Sequence, residues 1–260
     1  MKIKFELLSG DGTVIPSDYQ HKLCAAFYNA ISKVDDYKKY HSLTSLHSIS
    51  QIFGTKQLKN GDYIVNPRGS GILYWIISSP VDELIVNAAK HLFNTKIISN
   101  DLYINNFEVL PLTITGEKMS FIAQTPIILK QKINDEIHYY VVDDGNEIKT
   151  IKHGNKNQDK FWYIHRDNTK CSELMVNSVK SAADIIGFEL DPKLKIYFDE
   201  SYTKKKVLPV IIKKDKKSGR IMRNTASVCP IIIEGNPETI EFIYNLGVGR
   251  SRGMGFGTLY

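Results

Sequence analysis

The first half of the sequence alternates strand-like and helix-like patterns of apolar residues. In MKIKFELL, every second residue is apolar, which predicts a half-buried strand. An apolar stripe at helical spacing predicts a helix over residues 17–32, and the polar stretch 35–53 predicts one short helical turn followed by a loop. Two strands, a helix and a last strand are predicted over residues 62–66, 71–78, 81–93 and 102–110. The order β-α-β-β-α-β is the ferredoxin-like pattern.

The second half repeats this plan. A helix is predicted over residues 172–186, and another over 237–246 with Asn236 as its N-cap and Pro237 at its first position. Strand-like segments are 120–129, 138–142, 194–199, 207–213, 228–234 and the closing FGTLY. The predicted fold class is therefore α+β, with two tandem ferredoxin-like (RRM-like) βαββαβ domains. The polar, turn-forming TGEK places the join so that the domains are 1–116 and 117–260.

Composition narrows the class of protein. The 260 residues are 42% hydrophobic and 24% charged, which is typical of a globular protein and excludes a disordered or collagen-like chain. No apolar run approaches the roughly 20 residues of a membrane span, and the N-terminus lacks a secretion-signal pattern. The three cysteines are scattered and form no C-x-x-C pair, which predicts a reducing, cytoplasmic compartment. No cysteine or carboxylate cluster has zinc-ligand spacing, and neither a metal nor another cofactor is expected. The net charge of +6 permits a polyanionic partner.

The segment LGVGRSRGMGFG carries the most specific pattern in the chain. Clustered backbone N–H groups and two guanidinium groups suit phosphate oxygens. A plain surface loop is the alternative. A dinucleotide-binding motif is disfavoured, because that motif opens a helix, whereas these glycines follow a helix and lead into the last strand. The candidate RNA-binding residues of this loop are Gly247, Gly249, Arg250, Arg252, Gly253, Gly255 and Gly257.

This glycine segment resembles the C-terminal loop of the CRISPR repeat-processing endoribonucleases, a branch of the repeat-associated mysterious proteins. The pattern of that family is Gly-hydrophobic-Gly, a short basic stretch, then Gly-hydrophobic-Gly, which GVG and GFG fit. IPSDYQHKLCAAFYNAI resembles the first loop and helix of the family, SFIAQTPIIL the first strand of its second domain, and NPETIEFIYNLGVG the helix before its glycine loop. The resemblance covers most of the chain and implies the same tandem ferredoxin-like fold.

The resemblance implies a metal-independent cleavage of CRISPR precursor RNA within each repeat, giving crRNA. The ribose 2′-hydroxyl attacks the neighbouring phosphate, leaving a 2′,3′-cyclic phosphate and a 5′-hydroxyl. A histidine suits the proton transfer, because its pKa of roughly 6.5 lets it act as acid or base near neutrality. In the family this histidine follows the first helix, which makes His41 the best match and His47 the second. Tyr28 resembles a tyrosine that some members use beside the histidine.

One position departs from the family pattern. Where some members have a lysine for the phosphate, the comparable stretch here reads SLHS. His47 replaces that lysine, or the stabilising cation comes from Lys38, Lys39 or elsewhere; the sequence leaves these alternatives open.

A basic cluster, KKDKKSGRIMR, occupies residues 213–223 of the second half. VLPVIIKK, a DKKSG turn and a returning strand predict a β-hairpin with basic residues towards its tip. Lysines on such a hairpin can simply keep a sheet edge soluble. In the family that the chain resembles, basic residues of this region help to bind repeat RNA, which gives the candidates Lys213, Lys214, Lys216, Lys217, Arg220 and Arg223.

Two other functions remain in competition with the endoribonuclease. The first is a catalytically inactive RNA-binding subunit of a CRISPR ribonucleoprotein complex, and the second is a nucleotide-binding metabolic enzyme that uses the glycine loop. The predicted partners are precursor and mature crRNA. A CRISPR effector complex and a second copy of the chain are further partners that the sequence does not decide.

Overall fold

The structure is a computed structural model that describes residues 1–9, 13–17, 19–32, 45–59, 62–65, 73–93, 102–132, 140–141, 148–149, 161–163, 168–202, 206–214 and 221–260. Within these ranges, no helix combines the length and apolar character needed to cross a membrane.

The elements follow the chain in two groups. The first half contains β1 (Lys2–Ser9), β2 (Val14–Ile15), α1 (Tyr19–Ile31), β3 (Ser48–Ile49), β4 (Thr55–Gln57), β5 (Tyr63–Val65), β6 (Leu73–Ser78), α2 (Asp82–Leu92) and β7 (Leu102–Val109). The second half contains β8 (Lys118–Phe121), β9 (Lys130–Lys132), β10 (Tyr140–Val141), β11 (Ile148–Lys149), β12 (Phe161–Tyr163), α3 (Asn168–Ile186), β13 (Lys195–Phe198), β14 (Lys206–Lys214), β15 (Ile221–Val228), β16 (Ile231–Glu234), α4 (Pro237–Leu246) and a 3₁₀ turn at Arg252–Met254.

The first half folds around a four-stranded antiparallel sheet in the order β3-β6-β1-β7. Its central strand β1 points Ile3, Phe5 and Leu7 into the core, as the alternating pattern predicts. Helix α1 covers this face with Leu23 and Phe27, which are one helical turn apart and fully buried. Counted along the βαββαβ unit, the strand order is 4-1-3-2, and the first half is ferredoxin-like.

One strand of this sheet differs from the sequence-based prediction. The second strand of the unit is β3, at Ser48–Ile49, within the stretch for which the sequence predicts a loop. The predicted strand at 62–66 instead forms β5, which pairs with β2 and β4 in a separate small sheet. A strand of two residues is too short to show the alternation of apolar and polar residues. The sequence therefore favours a strand at Tyr63–Val65, where the β-forming pattern is stronger.

The second half builds a matching unit. Strands β13, β16 and β8 pair antiparallel in that order, and the C-terminal residues extend the sheet, since Ile122 and Tyr260 exchange backbone hydrogen bonds of 2.8 and 2.9 Å. Helices α3 and α4 cover the sheet. The helix α4 begins as predicted, with the Asn236 side chain accepting a hydrogen bond from the Thr239 N–H at 2.9 Å. The α+β class with two tandem ferredoxin-like units is therefore confirmed.

Two insertions extend the second unit. Between β8 and α3, strand β9 pairs with β12, and β10 pairs with β11. Between β13 and β16, strands β14 and β15 form the predicted long hairpin, with a register shift between Ile211 and Lys213.

The two halves share one continuous hydrophobic core. Polar contacts across this junction are short: the Ser48 and Thr258 hydroxyl oxygens are 2.6 Å apart, and Lys2 Nζ donates to the Leu259 carbonyl at 2.6 Å. Lys2 is 1% exposed, and its ammonium lies 3.4 Å above the centre of the Tyr244 ring. The C-terminal strand is thus held against the first strand of the chain.

Candidate functional site

The glycine segment forms a closed loop that begins where α4 ends. Gly247 has φ 78° and Gly257 has φ 68°, and the Val248 N–H donates to the Gly257 carbonyl at 2.9 Å. A Cβ on Gly247 would lie 2.6 Å from the Gly257 carbonyl oxygen, and a Cβ on Gly257 would collide with the Val248 carbonyl. The two ends of the loop therefore cross at a distance that only glycine allows.

The loop is tied to helix α3 and to the segment 126–128. The Gly249 N–H donates to the Ser178 hydroxyl at 3.2 Å, and the Arg250 N–H donates to the Ile128 carbonyl at 2.9 Å. A Cβ on Gly249 would lie 2.7 Å from that same carbonyl oxygen. These bonds fix where the loop lies on the second unit.

The base of the hairpin meets the same segment from the other side. Ile127 and Ser227 exchange backbone hydrogen bonds of 2.8 and 2.9 Å. Ile128 also packs with Ala226 of the hairpin and Phe256 of the loop in a small buried cluster. The two regions that the sequence marks as basic are therefore joined through one shared stretch of backbone.

Arg252 is buried between the glycine loop, helix α3 and the segment at Ser45. It is 3% exposed, and its guanidinium donates to the carbonyls of Ser45, Gly249 and Ser178 at 2.9, 3.1 and 3.3 Å. Burial lowers the pKa of Arg252 to about 10, so the side chain remains a cation at neutral pH. Arg250, two residues earlier, is exposed.

His47 lies beneath the loop, against helix α1. Its ring centre is 4.3 Å from that of Phe27 and 5.3 Å from that of Tyr28, and a Cβ on Gly253 would lie 2.7 Å from its Nε2. The Ser45 hydroxyl donates to the His47 carbonyl at 2.8 Å and lies 3.2 Å from Nδ1. The His47 side chain is fully buried.

Comparison with known proteins identifies the family. The sequence model described as "CRISPR associated protein Cas6, C-terminal" matches residues 108–260, which is more than half of the chain. The chain belongs to the Cas6 family. A curated relative, the CRISPR-associated endoribonuclease Cas6 1 of Methanocaldococcus jannaschii, is 25% identical over 99% of this chain and 91% of its own length.

Solved structures agree with the fold of this Cas6-family chain. A protein characterised as Cas6-related from Pyrococcus furiosus superposes with a TM-score of 0.72 at 18% identity, covering 100% of this chain and 97% of the other. A protein described as a RAMP protein binding different RNA substrates gives a TM-score of 0.70 at 17% identity, covering 100% and 98%. The family match over residues 108–260 confirms the family resemblance read from the sequence, and these structures agree with its fold.

The structure brings together part of the predicted site of this Cas6-family protein. Tyr28 is half-buried with its ring edge-on to His47, and the glycine loop lies against both the His47 segment and α3. Strands β14 and β15 carry Lys213, Lys214 and Arg223 at the end of the hairpin far from the loop. The candidates His41, Lys216, Lys217 and Arg220, with Lys38 and Lys39, lie outside the described residues.

Two of the predicted site side chains, those of Arg252 and His47, are buried in the structure. The Arg252 guanidinium is used on carbonyls inside the protein, and His47 is covered by the loop. Sequence reasoning did not single out Ser45 and Ser178. The Ser45 carbonyl accepts a hydrogen bond from Arg252 of the loop, and Ser178 accepts from the Gly249 N–H and from Arg252. Their signal is weak, because a serine in a polar stretch or on a helix surface is common.

Proposed function

We propose that this Cas6-family chain is a metal-independent endoribonuclease that cuts CRISPR precursor RNA within the repeats. The family match and the curated endoribonuclease relative support processing of CRISPR RNA. The observation that carries the proposal is the closure of the glycine loop over the segment that follows helix α1, through the bond from Arg252 to the Ser45 carbonyl. It joins the glycine loop, which carries the exposed Arg250, to the stretch where the resemblance expects the proton carrier.

His41 is the proposed general acid or base. It precedes Ser45, whose carbonyl accepts from Arg252 of the loop, by four residues in the sequence. His47, being buried under Gly253, is assigned a positioning role: it holds Tyr28 and the loop in place. The exposed Arg250 is the loop residue assigned to phosphate.

The proposed reaction needs no water and no oxidant. A base takes the proton of the ribose 2′-hydroxyl, and the O2′–P bond forms as the P–O5′ bond breaks. The departing 5′-oxygen takes a proton from an acid. The products are a 2′,3′-cyclic phosphate and a 5′-hydroxyl. Each well-placed proton-transfer group contributes about 10²–10⁴ in rate.

The test is cleavage of labelled repeat RNA in excess EDTA, with the product ends identified by mass spectrometry. Wild type should yield the cyclic phosphate, and His41→Ala should lower the single-turnover rate by about 10²–10⁴ without lowering the melting temperature. Loss of activity when EDTA is added, or full activity of His41→Ala, would contradict the proposed mechanism.

His47→Ala separates positioning from proton transfer. It should lower both the melting temperature and the rate, while the pH–rate profile keeps the wild-type shape, because the titrating group is still present. An altered profile with unchanged stability would assign the proton transfer to His47 instead.

A non-cleaving RNA-binding subunit is the second candidate function, and the burial of His47 favours it. That function predicts tight binding of repeat RNA by wild type with no product at any pH. The same assay therefore distinguishes the two.

A further inference from the structure

A cavity of about 420 Å³ lies between helix α3 and the glycine loop. This volume is in the range of sites that hold small organic ligands. It is lined by Leu129 and Leu174, by Asn177 and Ser181 of α3, and by residues 249–252 of the loop. The lining residues that the structure describes include two arginines and no carboxylate. The cavity therefore favours an anionic ligand with an apolar part.

One wall of this cavity is a single face of helix α3. Leu174, Asn177, Ser178 and Ser181 are three or four residues apart and thus share one face of α3. Ser178 stiffens this face, since its hydroxyl donates to the Met175 carbonyl at 2.8 Å and accepts from Gly249 N–H at 3.2 Å. The Arg252 guanidinium also donates to the Ser178 carbonyl at 3.3 Å. The wall and the loop are held at a fixed separation before any ligand binds.

The groups left for a ligand are those of Asn177 and Arg250. The Asn177 side chain is exposed, and none of the described hydrogen bonds uses its carboxamide; the Ser181 hydroxyl donates to its backbone carbonyl at 2.9 Å. A carboxamide offers a donor and an acceptor side by side, which matches the edge of a nucleobase. The exposed Arg250 guanidinium at the cavity suits a phosphate.

The cavity also reaches the residue that contacts His47. Ser45 lines it, and the Ser45 hydroxyl contacts both the carbonyl and Nδ1 of His47. An occupant of the cavity therefore lies one residue contact away from the proposed positioning residue.

We propose that this cavity is a subsite for one unpaired nucleotide of the RNA substrate. The Asn177 carboxamide binds the base edge, the half-buried Leu174 contacts the base face, and Arg250 binds the phosphate. This inference rests on the proposed function, because the nucleotide belongs to the RNA that the chain processes. In this proposal, helix α3 recognises the identity of one RNA base at a place separate from the hairpin.

The test combines RNA and protein changes. A set of repeat RNAs, each with one unpaired nucleotide replaced by an abasic nucleotide, is titrated against wild type and Asn177→Ala at one salt concentration. Wild type should lose about 5- to 100-fold in affinity at one position, the range of one base contact. Asn177→Ala should bind the intact RNA correspondingly less tightly and lose nothing more when that position is abasic.

Two serines on the same helix provide a matched control. Ser181→Ala changes the cavity wall and should weaken binding in a way that depends on the same nucleotide, whereas Ser172→Ala, which does not line the cavity, should behave as wild type. Melting temperatures of all variants exclude unfolding as the cause.

The subsite and the proposed function fail in different ways. If wild type binds and cuts repeat RNA but Asn177→Ala shows the wild-type abasic profile, the subsite is wrong and the proposed function stands. If wild type neither binds nor cuts repeat RNA, the proposed function fails, and the subsite with it.

Discussion

Arg250 and Arg252 are two residues apart on the glycine loop, yet their surroundings make them different groups. The Arg250 side chain is exposed, whereas Arg252 is 3% exposed and donates to three carbonyls from three parts of the chain. A charge in water is available to an RNA phosphate. A buried cation surrounded by carbonyls instead holds backbone segments together.

This contrast gives a paired prediction. Arg252→Met should lower the free energy of unfolding by about 1–3 kcal/mol, because it leaves buried carbonyls without a donor. Arg250→Met should change it by less than about 0.5 kcal/mol and weaken RNA binding. Urea denaturation and RNA titration of both variants provide the check. Equal effects of the two substitutions on stability would contradict the assignment.

Lys2 gives a pH prediction at the same scale. Burial disfavours its ammonium and lowers its pKa well below the ordinary 10.5. Between the lowered pKa and 10.5, the unfolded chain binds more protons than the folded one, so the Lys2 contribution to stability rises with pH in that window. The free energy of unfolding of wild type minus that of Lys2→Met should therefore increase towards pH 10.5, as measured by denaturation at several pH values.

Lys4, on the same strand, is the matched control. Its hydrogen bond to Glu108 raises its pKa, so its contribution is present below 10.5 and is lost at higher pH. The Lys4→Met difference should be small, because the side chain is largely solvated, and should decrease rather than increase in alkali. A rising difference for both lysines would show that the Lys2 trend comes from elsewhere.

At the scale of elements, the conformation of the glycine loop depends on the close approach of its two ends, at Val248 and Gly257. Gly257→Ala should destabilise the protein and weaken RNA binding, because its Cβ would collide with the Val248 carbonyl. Gly187→Ala is the control: φ is 67° there, close to the 68° of Gly257, but a Cβ would meet nothing within 4 Å. The control should cost about 1–2 kcal/mol, the strain of a left-handed alanine, and leave RNA binding unchanged. Comparable losses of stability would show that the crossing is not tight.

Elements with a long repeating pattern were predictable, and short ones were not. The alternation of β1, the stripe of α1 and the capped start of α4 each contain enough residues to show their period. Strand β3 has two residues in a polar stretch, and its pairing with β6 depends on tertiary contacts. The glycine loop was recognisable from its residues, but the burial of Arg252 and His47 was not, since only the packing of distant segments covers them.

At the scale of the whole molecule, the proposed RNA-binding surface extends from the exposed Arg250 to the far end of the hairpin. Such a surface releases counterions when RNA binds, so affinity should fall steeply with salt. Lys213→Gln combined with Lys214→Gln should reduce the slope of log affinity against log salt by about 0.7 for each RNA phosphate that the variant no longer neutralises.

A control variant that loses the same charge elsewhere tests whether the position of the lysines matters. Lys56→Gln combined with Lys90→Gln, at exposed positions of β4 and α2, removes two charges from the first half. This variant should keep the wild-type slope. An equal reduction would indicate that net charge, rather than the hairpin, governs binding.

Residues 126–128 meet the hairpin along one edge and the glycine loop along the other: Ile127 pairs with Ser227, while the carbonyls of Pro126 and Ile128 accept from Gly257 and Arg250. The base of the hairpin and the glycine loop are thus linked through this short strip of peptide. For RNA bound to both regions as proposed, the protein would set the number of nucleotides between them. A repeat with one extra nucleotide in that interval would have to bulge it out, so the proposed binding mode implies a limit on substrate length.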